Sequence, residues 1–397
     1  MRLLHITPTY IPAYRYGGPI HSVHSLCRNL ADIGHDVHVL TTSVDGPFDS
    51  DVPHDRPVNL DGVLVHYARA RYLRRLYWSP ELAAYCRATI SGFDAVHLHS
   101  VFLYPTWQGS RCATSARVPY VLSPRGMLDR RLIKARSSFI KRTWINLVER
   151  DNLSGASAIH LTSQEEWRAL ADLGLARAPT AIIPNGVDVP LPLDESAISP
   201  DVRAAVATGF QILAFGRINW KKALDRLLHA LAQMPEARLV IAGNDEDGEA
   251  AKLQVIAESC GVAKRVRFVV RHLTGADREA LFASAQVLAL PSLSENFGNV
   301  VAEAMIRGLP VVVTAQVGAA EIVAASGAGE IADGNPEALA TALLRILNCD
   351  KLRHRMATAG VEYARVHLSW NSIAQRFAEL YGSIAEAGRK MRSRNSH

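Results

Sequence analysis

Cysteine is scarce in this chain, at five among 397 residues. Cys27, Cys86, Cys112, Cys260 and Cys349 are scattered, odd in number and without metal-ligand spacing. That argues against a disulfide framework or a structural zinc and fits a reducing cytoplasm. Long apolar runs are missing as well. No stretch of about 18 uninterrupted apolar residues occurs, so the sequence offers no membrane-spanning helix. The opening Met1-Arg-Leu-Leu-His-Ile-Thr-Pro8 is too short for the apolar part of a signal peptide and has no small-residue cleavage site, so it is expected to be a first strand. Gly-x-Gly-x-x-Gly follows no predicted strand, which argues against a nicotinamide oxidoreductase. No nucleic-acid recognition module and no internal repeat is present.

What is present suits a globular enzyme. Apolar residues make up 48% and charged residues 21%. A chain of 397 residues exceeds one ordinary core and suits two domains. The net charge of +6 is compatible with anionic lipids, sugar nucleotides or nucleic acid and selects none of them. Its distribution says more. Arg69, Arg71, Arg74 and Arg75 alternate with Tyr72, Leu73, Leu76, Tyr77 and Trp78. A second cluster sets Arg125, Arg130, Arg131, Lys134, Arg136, Lys141 and Arg142 among Leu128, Leu132, Ile133, Phe139, Ile140 and Trp144. Basic residues mixed with aromatics suit a surface resting peripherally on anionic headgroups. The solvated face of core-packed helices would give the same pattern.

Short β runs alternate with helical stretches throughout. Strands are predicted at Leu3–Ile6, Val37–Thr42, Val63–Tyr67, Ala95–His99, Tyr120–Leu122, Ala158–Leu161 and Ala181–Ile183. The stretch Pro19–Ile33 has helical spacing and stops at Gly34. The Pro/Gly-rich run from Asn185 to Leu193 marks a linker. The rhythm restarts with Ile212–Phe215, Arg238–Ala242, Val266–Val270, Val287–Leu290 and Val311–Val313. Helices at Pro336–Leu347, Lys351–His367 and Trp370–Ile384 follow, and the basic tail Arg389–Arg394 is expected to be disordered. This alternation predicts an α/β fold of two doubly wound domains with parallel sheets.

Every candidate motif follows the carboxyl end of a predicted strand, where open α/β sheets bind ligands. Gly17-Gly18 follows the first strand. Ser123-Pro-Arg-Gly126 follows Tyr120–Leu122. Gly216-Arg217-Ile-Asn-Trp-Lys221-Lys222 follows Ile212–Phe215 and places positive side chains at a predicted helix start, a conflict with the helix dipole that a bound diphosphate would resolve. Ser292–Glu303 follows Val287–Leu290. There Glu295 lies in the turn and Glu303 about one turn into the helix that follows. The free amides of Phe297, Gly298 and Asn299 at the helix start would form an anion site between the two acids. Eight helical rises, about 12 Å, would separate those acids. His97 and His99 alternate with apolar residues, and one is expected on each face of the strand. At least one is expected to be a satisfied core histidine, with His99, nearer the strand end, the cleft candidate. Asp49-Ser-Asp51 and Asp245-Glu-Asp247 are expected to bind no catalytic metal.

The run Ser294-Glu295-x-Phe-Gly-x(4)-Glu303-Ala304 resembles the Glu-x7-Glu signature of retaining glycosyltransferases of family 4, the bacterial surface-polysaccharide type. The resemblance covers nearly the whole chain. It implies a GT-B fold: two doubly wound Rossmann-like domains with parallel sheets facing a central cleft. The implied domains are 1–190 for the acceptor, 191–366 for the nucleotide sugar, and 367–397 as a helix crossing back to the first domain with a basic tail. It implies transfer of a hexose from a UDP- or GDP-sugar to a saccharide or polyprenyl-diphosphate-linked saccharide, without a cofactor or metal. Gly216-Arg217 with Lys222, or with its rival Lys221, is similar to the family's Gly-Arg-x(4)-Lys element. Arg217 and Lys222 would then stabilise the departing diphosphate, Glu295 the sugar hydroxyls and Glu303 the ribose. Gly17 and Gly18, with the amides of Phe297, Gly298 and Asn299, would assist donor binding.

Two departures stand out. Arg125-Gly126 occupies the place of the family's His-Gly pair. Arginine cannot act as a general base at neutral pH, so Arg125 is assigned to an acceptor phosphate or carboxylate. Phe268-Val-Val-Arg-His-Leu273 lacks the glycine usual after its strand, which leaves the base unread. The rival readings are a nucleotide-sugar epimerase of the same fold and a noncatalytic lipid-surface binding protein.

Overall fold

The computed structural model describes the whole chain except residues 15–17, 130–132, 134–137, 246–247 and 395–397. Two compact units emerge, Met1–Gly186 with Trp370–His397, and Val187–Ser369.

The first unit is built on an eight-stranded sheet. Its strands are β1 (Arg2–Ile6), β2 (Asp36–Thr42), β5 (Val58–Leu60), β6 (Val63–Ala68), β7 (Ala95–His99), β8 (Tyr120–Ser123), β9 (Ala158–Leu161) and β10 (Thr180–Ile182). They lie in the order β10-β9-β8-β7-β1-β2-β6-β5, parallel except for the β5–β6 edge pair. A two-stranded ribbon, β3 (Val44–Asp45) and β4 (Phe48–Asp49), stands apart. Helices on both faces bury the parallel strands, which is why β7 to β9 carry no exposed residue.

The second unit has six parallel strands: β11 (Ile212–Phe215), β12 (Leu239–Ala242), β13 (Val266–Val269), β14 (Val287–Leu290), β15 (Val311–Thr314) and β16 (Gly329–Ala332). Their order is β13-β12-β11-β14-β15-β16. Strand order reverses between β11 and β14, and in the first sheet between β1 and β7. Open α/β sheets bind ligands outside the strand ends at such reversals. The segments after β1, β11 and β14 and the end of β7 are therefore where chemistry is expected.

Local sequence explains the helix boundaries. Ser79 caps Pro80–Thr89 by accepting from Leu82 N–H at 3.2 Å, with proline at the first turn. Asn335 caps Pro336–Leu347 in the same way. The helix Gly18–Asp32 ends before Gly34, whose φ is 90°.

Three expectations are corrected. His97 and His99 lie on the same face of β7, their ring centroids 4.0 Å apart, because strand side chains two positions apart point the same way. The tail expected to be disordered continues the helix Trp370–Arg394. Its start is set by Trp370, Ile373, Phe377 and Tyr381, which join the first unit's core, and Gly388 rests against Pro119. Between Glu295 and Glu303 the chain is not helical throughout. Glu295 pairs as a β-bridge with Val317, and the helix begins only at Asn299. The spacing of eight helical rises therefore does not apply.

Candidate active site

In the second unit, β11 ends at Phe215 and turns at Gly216, φ 133°. Gly243, φ 143°, makes the matching turn after β12, and a Cβ there would overlap the Gly216 carbonyl oxygen. Only glycines let these two turns stack backbone to backbone. The basic run that follows is not the first turn of an α-helix. Trp220–Lys222 form a 3₁₀ turn that Asn219 caps by accepting from Lys221 N–H at 3.1 Å, and Ala223 then adopts φ 48° before the helix Leu224–Ala232.

That turn separates the two lysines. Lys222 Nζ meets Glu295 Oε1 at 2.6 Å, with 12% and 22% of the two side chains exposed. The same Nζ lies 3.6 Å from where a Gly216 Cβ would stand, which places the lysine directly over the turn after β11. Lys221 Nζ instead lies 5.9 Å from the Trp220 ring centroid. Lys222 is the lysine at the strand reversal. Arg217 is exposed and stands directly after Gly216.

The β14 segment is held by its neighbours. Leu293 N–H donates to Lys221 O at 2.8 Å, which ties it to the β11 turn. Glu295 N–H donates to Gln316 O at 3.1 Å and its carbonyl accepts from Gly318 N–H at 2.9 Å. Gly298, φ 89°, is the residue before the helix Asn299–Ile306, where a Cβ would press on Val317 and Leu290. The first-turn amides are thus those of Asn299 and Val300, while Val301 N–H already bonds Gly298 O. The Phe297 side chain is buried in the core. Glu303 carries a partner the sequence reading missed, Arg278, at 3.0 Å. Gly243 and Arg278 announce themselves only through contacts with distant residues. Ser292 Oγ, at the strand end, is buried with no hydrogen-bond partner among the described residues.

In the first unit, Gly18 opens the helix Gly18–Asp32 after β1, and Gly17 lies outside the described residues. His99 and Arg125 meet at the carboxyl edges of β7 and β8, Arg125 Nη2 donating to His99 Nδ1 at 3.1 Å. Arg125 begins a network of buried histidines whose proton positions follow from their partners. Guanidinium only donates, so His99 Nδ1 accepts and its proton sits on Nε2, 3.1 Å from His5 Nδ1. Ile183 O accepts from His160 Nε2 at 2.9 Å, so His160 Nδ1 accepts from Ser123 Oγ at 2.6 Å. Ser123 Oγ in turn accepts from His97 Nε2 at 2.6 Å, which leaves His97 Nδ1 to accept from Tyr381 Oη at 2.6 Å.

Burial lowers the pKa of all four imidazoles, with Arg125 adding repulsion. His5 and His160 fall to about 3, and His97 and His99 lie well below their ordinary value. The ring nitrogens of His5, His97 and His99 lie within 4.8 Å of one another, near enough for a metal ion. The tautomers argue otherwise. With Arg125 on Nδ1, His99 keeps a proton on Nε2 and offers no lone pair towards His5.

The Asp-x-Asp strings are used locally. Asp49 Oδ1 accepts from Arg74 at 3.0 Å and Ser43 at 3.1 Å, and Asp245 Oδ1 accepts from Glu249 N–H at 2.8 Å at a helix start. Asp247 lies outside the described residues.

The basic-aromatic clusters divide. Arg74 is tied down by Asp49, and Leu128 and Ile133 are core residues. Tyr72, Leu73, Phe139, Ile140 and Leu147 are 71%, 64%, 81%, 67% and 72% exposed. Arg130, Arg131, Leu132, Lys134 and Arg136 lie outside the described residues. Among the described residues no helix is long and apolar enough to cross a membrane.

Two doubly wound parallel sheets, one with a Lys–Glu ion pair at its strand reversal, are the architecture of the GT-B glycosyltransferases. Comparison with known proteins agrees. The family model for glycosyl transferases group 1 matches residues 199–363, and that for the glycosyl transferase 4-like domain matches 17–186. The chain belongs to the GT-B glycosyltransferases of the family 4 type. It is 30% identical over 259 residues to the D-inositol 3-phosphate glycosyltransferase of Corynebacterium efficiens, covering 61% of this chain and 60% of that relative. The chain thus spans less than two thirds of the length of this curated relative. Sucrose-phosphate synthase from Thermosynechococcus elongatus has a similar fold, with a TM-score of 0.76, 22% identity and coverage of 98% and 100% of the two chains. Anabaena HepE in complex with UDP-glucose gives 0.72 and 23%, covering 96% and 100%.

Proposed function

We propose that this chain transfers a hexose from a UDP- or GDP-sugar to a saccharide or lipid-linked saccharide acceptor, with retention at the anomeric carbon, in cell-surface polysaccharide assembly. The observation that carries this reading is the Lys222–Glu295 ion pair at 2.6 Å, set at the strand reversal of the second sheet beside Gly216.

The second unit binds the donor. Its diphosphate lies against Arg217, Lys222 and the amides at the start of Asn299–Ile306, where negative charge is favoured. On cleavage of the sugar–phosphate bond, Lys222 and Arg217 stabilise the charge that develops on the departing diphosphate. Glu295 turns from its lysine partner to the sugar hydroxyls, and Glu303 accepts from the ribose. No side chain serves as a covalent nucleophile. The acceptor hydroxyl attacks on the face the diphosphate leaves, and the phosphate takes its proton. The first unit holds the acceptor at the strand edge where His99 and Arg125 meet.

The cations Arg217 and Lys222 fill the role that a metal takes elsewhere. Exposed Tyr72, Leu73, Phe139, Ile140 and Leu147, with Arg71, Arg75 and Arg142 nearby, supply a peripheral contact with an anionic lipid surface that would bring a lipid-linked acceptor within reach.

The test is a panel of labelled UDP- and GDP-sugars incubated with membranes of the source organism, with and without excess EDTA. The expected result is sugar transfer from one donor, undiminished by chelation. Conversion of the donor without any acceptor would mark an epimerase. Metal-reversible loss of activity would overturn the cation assignment.

A further inference from the structure

We propose that Arg125 is a binding site for an anionic group, a phosphate or carboxylate, on the acceptor; this rests on the glycosyltransferase reading of the first unit's strand edge. Arg125 follows β8 directly, with φ 57°, and Gly126 follows at 74°. The left-handed conformation is strained for a residue with a long side chain, and such strain gathers at ligand sites. Among the described residues its two hydrogen-bond acceptors are neutral: His99 Nδ1 at 3.1 Å and Asn185 Oδ1 at 3.3 Å. Its Nε is buried with no hydrogen-bond partner among the described residues. Glu166 acts on Arg125 through space, but its oxygens are taken by Gly126 N–H at 2.7 Å and by Thr162 N–H and Oγ at 2.8 and 3.0 Å.

A half-buried guanidinium with no carboxylate among its hydrogen-bond partners in the described residues is an expensive arrangement unless an anion completes it. Two of its five N–H groups are used, and the remaining three suffice for a bidentate clasp of phosphate or carboxylate oxygens. The tautomer of His99 fits this role. A neutral imidazole accepting from Arg125 orients the fork without adding a second positive charge.

The experiment is a ³¹P NMR titration of inorganic phosphate into the full chain preloaded with UDP, so that phosphate does not report on Arg217 and Lys222. Saturable binding is expected. Arg125→Gln should weaken it at least tenfold, while Lys222→Ala leaves it unchanged. Equal affinity in Arg125→Gln, or no saturable binding to the parent chain, overturns the proposal and leaves Arg125 a strut. If Arg125→Gln does not fold by circular dichroism, Arg125→Lys decides. A several-fold loss supports the fork, which lysine lacks, and an unchanged affinity contradicts it. Failure of UDP itself to bind would count against the nucleotide-sugar reading. The titration in Lys222→Ala without UDP then still tests Arg125.

Discussion

At the scale of single residues, the chemistry depends on which of two adjacent lysines points at the strand reversal. Spacing alone left Lys221 and Lys222 as rivals. The 3₁₀ turn capped by Asn219 and the positive φ of Ala223 separate them, and neither feature is visible as a pattern in the sequence. Replacing Lys222 by Ala should therefore reduce turnover by roughly 10²-fold, the usual loss when a donor aimed at developing charge is removed. Lys221→Ala should stay within a few-fold of the parent by the same reasoning. Equal losses in the two variants would contradict the assignment. Glu303 is better replaced by Gln than by Ala, because Ala would strand the Arg278 guanidinium. The ribose contact proposed for Glu303 would be present equally in ground and transition states, so Glu303→Gln should raise the donor KM and leave kcat nearly unchanged. Steady-state kinetics with varied donor separates the two.

At the scale of elements, the sequence disclosed most of the buried strands. Ile212–Phe215 and Val287–Leu290 have the predicted bounds because strands buried on both faces read as continuous apolar runs, and Ala95–His99 and Ala158–Leu161 have them although buried histidines interrupt the run. The strands it hid lack that signal. Strand β16 is Gly-Glu-Ile-Ala with one buried residue, β5 is a short edge strand, and β3 and β4 have two residues each. Gly243 was overlooked for a related reason: its demand comes from the neighbouring turn at Gly216, 27 positions earlier in sequence. Gly243→Ala should cost about 3 kcal/mol in urea unfolding, since it combines an unfavourable φ with backbone overlap. A change below about 0.5 kcal/mol, the range of neutral surface substitutions, would show that the two turns do not stack as described.

At the scale of the whole molecule, the histidine network joins β1, β7, β8, β9 and the helix Trp370–Arg394, with Tyr381 lying 284 positions from His97. Contacts this distant leave no local pattern, so only His97 and His99 stand out in the sequence, and the network around them does not. The network has a pH consequence. The unfolded chain takes up protons near an imidazole pKa of 6.5, whereas folded His5 and His160 do so only near 3. Between those values the unfolded state binds more protons, so the stability is complete above pH 6.5 and drains away as the pH falls towards 3. His66, lowered to about 4, acts in the same sense, while buried Glu149 and Glu166, whose pKa values are raised, oppose it. Thermal melts should show Tm falling from pH 7.5 to 5, with a shallower fall in His160→Asn. A flat profile would contradict the neutral network.

The proposed reaction is transfer of a sugar with retention from a nucleotide diphosphate donor whose charge Arg217 and Lys222 would receive. Its most direct test is the anomeric configuration of the product, read by NMR after transfer from an α-linked nucleotide sugar. Retention gives an α-linked product. A β-linked product would contradict it.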